Sequence, residues 1–195
     1  MPPIGRPREF DRAEALQRAL EVFWTRGYEA TQVEELVEAM GIGRGSMYAA
    51  FGDKRGLFLE ALEAFVGQIS AWYREKVLSG PGTALENLRG VVRRWPEVAA
   101  SGGRGCFLTN SLIERAGHDP EVAAIADRTI RAEEMLYRGV LSEAQERGEL
   151  GRNRDIGMIA RALVNARLGI TLQAKLQGSA ERVRAVADVA LEMLE

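Results

Sequence analysis

Apolar residues recur at helical spacing along most of this 195-residue chain, and no stretch sustains the alternation of a β-strand. Capping residues precede many of the apolar runs, and glycines follow several of them. The pattern predicts an all-α fold of about nine helices. A three-helix domain is expected over residues 1–52 and a larger helical domain over 53–195, in which 53–78 forms a long connecting helix. The expected helices cover about 11–26, 31–40, 44–50, 53–78, 83–100, 106–115, 119–147, 155–177 and 179–195.

Residues 31–58 carry the pattern of a helix-turn-helix. Thr31 and Glu34 have the spacing of a capping box, so a helix is expected to start there. The Gly-Ile-Gly sequence at 41–43 suits a tight turn, and a short helix with Arg, Ser and small residues begins at Arg44. A short helix of this composition after a capped helix is suited to the major groove of DNA. The segment therefore predicts DNA binding.

The overall charge does not indicate a nucleic-acid partner, because 26 basic and 28 acidic residues leave a net charge of −2. Binding to DNA must then rely on local basic groups. One such group is the N-terminal arm, where Arg6 and Arg8 flank a proline and are suited to an adjacent minor groove. The alternative for this arm is a solvated tail.

The chain lacks the residue patterns of several other classes of protein. A single cysteine, Cys106, excludes an intramolecular disulfide and a multi-cysteine metal site. No catalytic triad, metal cluster or phosphate-binding loop is apparent, so neither an enzyme nor a cofactor is expected. The N-terminal residues have no apolar core of a signal peptide, and no apolar run approaches the ~18 residues of a membrane span. A cytoplasmic protein without a membrane partner is therefore expected.

Residues 10–60 resemble the tetracycline-repressor (TetR) family of transcriptional regulators. The matching segments are ALEVFW at 19–24, RGYEAT at 26–31, GI at 41–42, MYAAFGDK at 47–54 and LF at 57–58. The resemblance implies an N-terminal DNA reader and a C-terminal domain for ligand binding and dimerisation. It implies a homodimer that binds a pseudo-palindromic double-stranded operator and is released by a small-molecule effector. An activator of the same fold and a nucleoid-type binder without an effector are the alternatives.

The same resemblance places the DNA contacts on the second and third helices and at the start of the fourth. Tyr48 and Lys54 match phosphate contacts of the family, which agrees with the chemistry of a phenol and of a lysine beside a helix N-terminus. Arg44 is the residue best suited to a guanine edge. Together with the arm, the expected DNA-binding residues are Arg6, Arg8, Thr31, Gln32, Arg44, Gly45, Ser46, Tyr48, Ala49 and Lys54.

Aromatic and methionine residues in the C-terminal domain predict either a ligand pocket or an ordinary core. Two asparagines interrupt apolar helix faces, where they would orient a ligand or else satisfy structural hydrogen bonds. The candidate pocket residues are Trp72, Trp95, Cys106, Phe107, Asn110, Met135 and Asn165.

Cys106 is also a candidate sensor. It follows a glycine-rich loop and Arg104 at an expected helix start, where a cation and the helix N-terminus both favour a thiolate. The Gly105-Cys106 pair and residues 168–176 resemble electrophile-responsive repressors of the N-ethylmaleimide reductase type, which implies that Lys175 lies near the cysteine. The alternative is a small buried hydrophobic residue. A redox-sensing or electrophile-sensing repressor is therefore the alternative to a purely ligand-responsive one.

The last expected helix has one apolar stripe that contains Val183, Val186, Ala190 and Leu194. A stripe of this kind needs a covering surface. The stripe, or the opposite face of helix 155–177, is expected to pair with a second copy in a four-helix bundle. Two recognition helices would then read half-sites about 34 Å apart.

Overall fold

The computed structural model describes residues 10–100 and 103–195, and in these ranges it contains nine α-helices and no β-strand. The predicted all-α class is confirmed. None of the helices in the described ranges combines the length and apolarity of a membrane span. The helices are α1 Arg12–Arg26, α2 Val33–Met40, α3 Arg44–Phe51, α4 Lys54–Leu78, α5 Ala84–Ala100, α6 Phe107–Arg115, α7 Pro120–Arg147, α8 Ile156–Gln173 and α9 Ala180–Glu192.

Side-chain caps fix several helix starts at the predicted positions. Asp11 accepts hydrogen bonds from the backbone N–H groups of Ala13 and Glu14 at 2.8 and 3.0 Å. Before α5, the Glu86 N–H donates to Thr83 Oγ1 at 3.2 Å, and the Thr83 N–H donates to Glu86 Oε2 at 2.8 Å. These bonds satisfy backbone donors that the helix itself leaves unpaired. The boundaries are therefore determined by residues within one turn.

The start of α2 differs from the prediction by one residue. Its N-cap is Gln32, whose N–H donates to Glu35 Oε2 at 3.0 Å. Thr31 donates its hydroxyl to the carbonyl oxygen of Gly27 at 2.5 Å and is only 2% exposed. The predicted capping box between Thr31 and Glu34 is wrong, because the Thr31 hydroxyl is used by the preceding turn.

The described residues divide into two compact units, one ending at Glu63 and the other starting at Ala64. The N-terminal unit contains α1, α2, α3 and the first part of α4. Phe58 of α4 belongs to its core, since its ring meets Phe23 edge-on at 5.1 Å and lies 4.9 Å from the Tyr28 ring. Because the beginning of α4 is buried in this unit, the division falls later in the chain than residue 52.

The C-terminal unit is a helical bundle in which α5, α7, α8 and α9 surround one hydrophobic core. Helix α9 packs against α5 and α8. Its apolar stripe places Val183, Ala190 and Leu194 in that core at 2%, 0% and 0% exposure, and the half-buried Val186 packs against it. The prediction that this stripe forms the dimer interface is wrong, because these side chains are already covered within one chain.

Candidate DNA interface and effector cavity

A tight turn connects α2 to α3 in the N-terminal unit. Gly41 ends α2 with φ 68° and ψ 26°, a left-handed conformation that glycine adopts at no steric cost. The N–H of Gly41 donates to the Glu38 carbonyl at 3.1 Å, and the N–H of Ile42 donates to the Val37 carbonyl at 3.2 Å. Helix α3 starts two residues later, at Arg44. These contacts form the helix-turn-helix that the sequence predicts.

One face of α3 is anchored in the core and the other is accessible. Met47 and Phe51 are buried at 0% and 5% exposure, whereas Tyr48 is 44% exposed. The remaining residues predicted to face DNA from this helix are exposed or half-buried: Arg44, Gly45, Ser46 and Ala49. The helix therefore presents one polar, small-residue face to the outside.

Arg44, the residue expected to read a base, forms a surface ion pair. Its Nη2 lies 2.6 Å from Glu34 Oε1, and the two side chains are 59% and 63% exposed. An exposed pair of this kind contributes only ~0–1 kcal/mol. Exchanging Glu34 for a guanine edge therefore costs little.

Lys54 lies at the start of α4, and its Nζ is 4.4 Å from the centre of the Tyr28 ring. This cation–π contact holds the ammonium group beside a helix N-terminus, a position suited to a phosphate. Arg12, which the sequence analysis missed, supports the same region. Its Nη2 donates to the Ala50 carbonyl at 3.2 Å and lies 2.6 Å from Glu60, so it links α1 to the end of α3 and to α4.

Four predicted DNA contacts do not lie on α3 or α4. A phosphate contact from the Thr31 hydroxyl is contradicted, because this side chain is buried and donates to Gly27. Its neighbour Gln32 is exposed at the N-cap of α2. Arg6 and Arg8 lie outside the described residues.

The C-terminal unit contains a cavity of about 350 Å³ among α4, α6, α7 and α8. This volume falls in the range of ligand sites, roughly 300–1,000 Å³. Ile69, Leu108 and Leu136 supply much of its apolar wall. A nucleoid-type binder without an effector has no need for such a space, so the cavity argues against that alternative.

The lining differs from the predicted set of pocket residues. Cys106 and Met135 do line the cavity. Trp95 and Phe107 are core residues with 3% and 1% exposure, and Trp72 lines a separate groove. Their assignment to the pocket is wrong, because helical spacing does not distinguish a cavity wall from a packed interior.

The two predicted pocket asparagines serve structural hydrogen bonds instead. Asn110 Nδ2 donates to the Arg104 carbonyl at 2.8 Å, before the start of α6. Asn165 is exposed, and its Nδ2 donates to the Arg161 carbonyl at 2.9 Å within α8. Neither side chain lines the cavity, so the sequence interpretation of both as ligand-orienting residues is wrong.

A buried polar cluster of Tyr73, Glu133, Tyr137 and Arg167 lies at the cavity and was not predicted. Arg167 donates from Nε and Nη2 to the two Glu133 carboxylate oxygens, both at 2.6 Å, and the two side chains are 8% and 10% exposed. Tyr137 donates its hydroxyl to Glu133 Oε1 at 2.5 Å. The Arg167 guanidinium carbon lies 5.9 Å from the centre of the Tyr73 ring. Tyr73, Glu133 and Arg167 line the cavity, which therefore has a buried ion pair in its wall.

Burial and the charges of neighbouring groups shift the pKa values of this cluster. Burial raises the pKa of Tyr73 above its ordinary value, although the positive charge of Arg167 opposes the shift. Burial and the negative charge of Glu133 raise the pKa of Tyr137 well above 10.0. Burial lowers the pKa of Arg167, but the charge and the hydrogen bonds of Glu133 outweigh this effect and raise the pKa above its ordinary value. Both phenols are thus neutral at physiological pH and Arg167 is charged.

Cys106 is half-buried on the cavity wall, and Lys175 lies over the loop beside it. Lys175 donates from Nζ to Asn110 Oδ1 at 3.1 Å. Gly105 has φ 67°, and a Cβ at this position would lie 3.1 Å from Lys175 Cδ. The positive φ therefore favours glycine at 105, and a Cβ there would also crowd the lysine stem. These contacts give Lys175 a packing role over the loop before α6.

Apolar side chains remain exposed on α8 and α9 after the chain has folded. Met158 and Leu172 on α8 are 66% and 48% exposed, and Val189 on α9 is 52% exposed. They lie outside the core to which the α9 stripe contributes. These two helices thus retain apolar surface for a partner.

Two family models match the chain. Residues 15–61 match the model described as bacterial regulatory proteins, tetR family, and residues 84–190 match the tetracyclin repressor-like C-terminal domain. The uncharacterized HTH-type transcriptional regulator YezE of Bacillus subtilis (strain 168) is 38% identical over 98% of this chain and 100% of its own length. The HTH-type transcriptional repressor ComR of Escherichia coli (strain K12) is 27% identical over 97% of this chain and 91% of its own.

A solved structure gives the same assignment. A cysteine mutant of the TetR family transcriptional regulator CifR, complexed with 26 bp double-strand operator DNA, superposes with a TM-score of 0.79 at 34% identity. The match covers 96% of this chain and 98% of that chain. With the helix-turn-helix and the bundle described above, these similarities show that the chain belongs to the tetR family of bacterial regulatory proteins and is a DNA-binding transcriptional regulator.

Proposed function

We propose that this protein is a ligand-responsive repressor that binds a double-stranded operator as a homodimer. A small molecule that occupies the C-terminal cavity would release it from the DNA. The observation that carries the proposal is the accessible face of α3, set on a helix-turn-helix in a chain that also contains a cavity of about 350 Å³. A relative named as a repressor, ComR, supports repression rather than activation. The protein acts on bacterial DNA, hence in the cytoplasm, and its role requires no catalysis.

The proposed contacts divide into base reading and phosphate binding. Arg44 donates to a guanine edge in the major groove, because its guanidinium matches the paired acceptors of that base. Tyr48 and Lys54 bind phosphates of the DNA backbone. The remaining proposed contacts are Gln32 at the start of α2, Gly45, Ser46 and Ala49 on α3, and Arg6 and Arg8 in the N-terminal arm.

Helix α4 provides the physical connection between the cavity and the DNA contacts. Its first residue, Lys54, is a proposed phosphate ligand, and its later turns carry Ile69, Tyr73 and Arg74 on the cavity wall. An effector that favours one position of these later turns therefore biases the position of Lys54. A coupling of about 1–3 kcal/mol between the two sites is typical and is enough to release DNA.

Dimerisation would use the exposed apolar side chains of α8 and α9 rather than the buried α9 stripe. Met158, Leu172 and Val189 would meet their two-fold mates in a four-helix bundle. This arrangement presents two copies of α3 to half-sites about 34 Å apart. A pseudo-palindromic operator follows from the two-fold symmetry.

The test compares Arg44→Ala with Lys54→Ala on an operator obtained by in vitro selection from random-sequence DNA. Arg44→Ala should weaken the selected operator by about 1–3 kcal/mol and relax the preference at one base position. Lys54→Ala should weaken all sequences alike and make the slope of log affinity against log salt shallower by about one unit. Fluorescence anisotropy at several salt concentrations measures both quantities.

Arg18→Ala is the matched control for loss of a positive charge. Arg18 pairs with Glu14 on the surface of α1 and is not a proposed contact. Its replacement should leave operator affinity nearly unchanged. Equal losses of base preference in Arg44→Ala and Lys54→Ala would contradict the assigned roles, and absence of any selected sequence would contradict DNA binding itself.

A second candidate is a repressor that responds to electrophiles or oxidants through Cys106. The observation in its favour is that Cys106 is partly exposed on the wall of the cavity. Under this proposal Cys106→Ser binds operator normally but is no longer released by N-ethylmaleimide or hypochlorite. Release of the variant at the wild-type reagent concentration would assign the cysteine to packing alone.

A further inference from the structure

The cavity wall offers more hydrogen-bond donors than acceptors. Glu133 already accepts three hydrogen bonds, two from Arg167 and one from Tyr137, so little of its acceptor capacity remains. Arg167 uses Nε and one Nη2 hydrogen on Glu133, which leaves Nη1 and the second Nη2 hydrogen as donors. Thr129, another lining residue, already donates its hydroxyl to the Ile125 carbonyl at 2.7 Å. A ligand that supplies acceptors therefore matches the remaining donors of Arg167.

The charges around the cavity are also unbalanced, with more positive than negative groups. Arg74, Glu133 and Arg167 are the charged residues of the lining, which leaves one positive charge in excess. Arg167 is buried with its partner, whereas Arg74 is exposed at the cavity. A charge in a partly buried site is stabilised by a compensating charge at hydrogen-bond distance. The excess corresponds to one negative charge on the ligand.

The rest of the wall is mainly hydrocarbon. Ile69, Leu108 and Leu136 offer aliphatic surface, and the volume of about 350 Å³ lies at the small end of ligand sites, which start at roughly 300 Å³. A ligand that matches this wall has a compact apolar body and one anionic end. A carboxylate carries one charge and fits the planar fork of arginine, whereas a phosphate monoester carries about −1.5 to −2 charges and overcompensates the site.

We propose that the effector is a compact apolar monocarboxylate. Its carboxylate lies between Arg74 and Arg167, and its hydrocarbon body lies against Ile69, Leu108 and Leu136. The inference rests on the proposed role of the cavity as the effector site, and it adds the chemical class of the ligand. The buried pair with Glu133 keeps the Arg167 fork oriented before the ligand arrives, so the site is organised in advance.

The test uses pairs of probes that differ in charge but have nearly the same shape. The probes are butyrate, octanoate and benzoate, each with its primary amide. Calorimetry without DNA measures their affinity for the purified full chain, and fluorescence anisotropy measures release of the selected operator. A carboxylate that binds should do so at least about tenfold more tightly than its amide, because its hydrogen bonds to arginine are charge-assisted, and it should release the operator.

Arg74→Gln isolates the contribution of the charge at the cavity mouth. Arg74 is exposed, so the replacement keeps the buried cluster intact. The variant should bind the carboxylate about tenfold more weakly and bind the amide within about twofold of wild type. Arg138→Gln, an exposed arginine of α7 outside the lining, is the matched control and should change neither affinity.

The outcomes separate the inference from the proposed function. Equal binding of amides and carboxylates, or operator release by the amides alone, overturns the carboxylate class and leaves the cavity as the effector site. Failure of every carboxylate to bind wild-type protein also overturns the inference. Operator binding is measured independently of any probe, so a failure of the repressor proposal appears in that measurement and not in the calorimetry.

Discussion

The buried ion pair between Arg167 and Glu133 offers a sharp test of the C-terminal unit. Arg167→Met replaces the guanidinium with an apolar side chain and leaves the Glu133 carboxylate in the interior. That carboxylate would lose two hydrogen bonds of 2.6 Å and keep the one from Tyr137. With only 10% of the Glu133 side chain exposed, water cannot replace the lost donors freely.

The expected cost follows from this geometry. Removal of one partner from a buried pair costs about 3–5 kcal/mol, because an uncompensated charge stays behind. At about 2–4 °C per kcal/mol for a chain of this size, the midpoint of thermal unfolding should fall by roughly 6–20 °C. Replacement of both partners, in Arg167→Met with Glu133→Leu, removes the buried charge altogether. The double variant should recover most of the loss, because apolar replacements of a buried pair are often neutral or stabilising.

Urea unfolding followed by circular dichroism measures the four members of this double-mutant cycle. Protein concentration must be the same in all of them, because the stability of a dimer depends on concentration. Arg131→Met is the control, since Arg131 pairs with Asp127 at 2.8 Å on the surface, where the side chains are 73% and 60% exposed. Arg131→Met should lower the free energy of unfolding by less than about 1 kcal/mol.

Two results would refute this reasoning. One is a loss of unfolding free energy in Arg167→Met as small as that in the Arg131→Met control. This result would mean that the pair of Arg167 and Glu133 is hydrated in solution. The other is a double variant whose loss equals the sum of the two single losses. Additivity would mean that the two side chains do not interact.

Two further predictions concern the dimer and the tyrosines. Val189→Asp should yield a folded monomer because Val189 is 52% exposed, whereas Val183→Asp should unfold the chain because Val183 is 2% exposed. Light scattering measures the oligomeric state, and circular dichroism measures folding. A Val189→Asp variant that is still a dimer would contradict the proposed interface. Burial raises the pKa of Tyr73 and Tyr137 above 10.0. The two neutral phenols therefore make their full contribution to the free energy of unfolding below pH 10. This contribution is lost as the pH rises further, because the phenols of the unfolded chain then ionise. The free energy of unfolding, measured between pH 9 and about 11.5, should therefore decline less in Tyr73→Phe than in wild type. An identical decline would contradict the raised pKa of Tyr73.

Many helix boundaries could be predicted from the sequence because their signals are local. Asp11, the Thr83–Glu86 box and Gly41 act on backbone groups within about one helical turn, so residue type and spacing are sufficient to place them. The period of apolar residues likewise determined which segments are helices and which face of α3 is buried. The family resemblance depends on the same dense stretch of residues, and the comparisons confirmed it.

Tertiary structure decided which apolar faces are covered and which polar groups meet. The α9 stripe satisfies the pattern of a dimer seam, but α5 and α8 cover it, and no periodicity within α9 contains that information. Glu133 and Arg167 are 34 residues apart on different helices, so only the packing of α7 against α8 joins them at the cavity. Local spacing determines helices because their hydrogen bonds close within four residues, whereas a cavity and its charges depend on side chains brought together from distant parts of the chain.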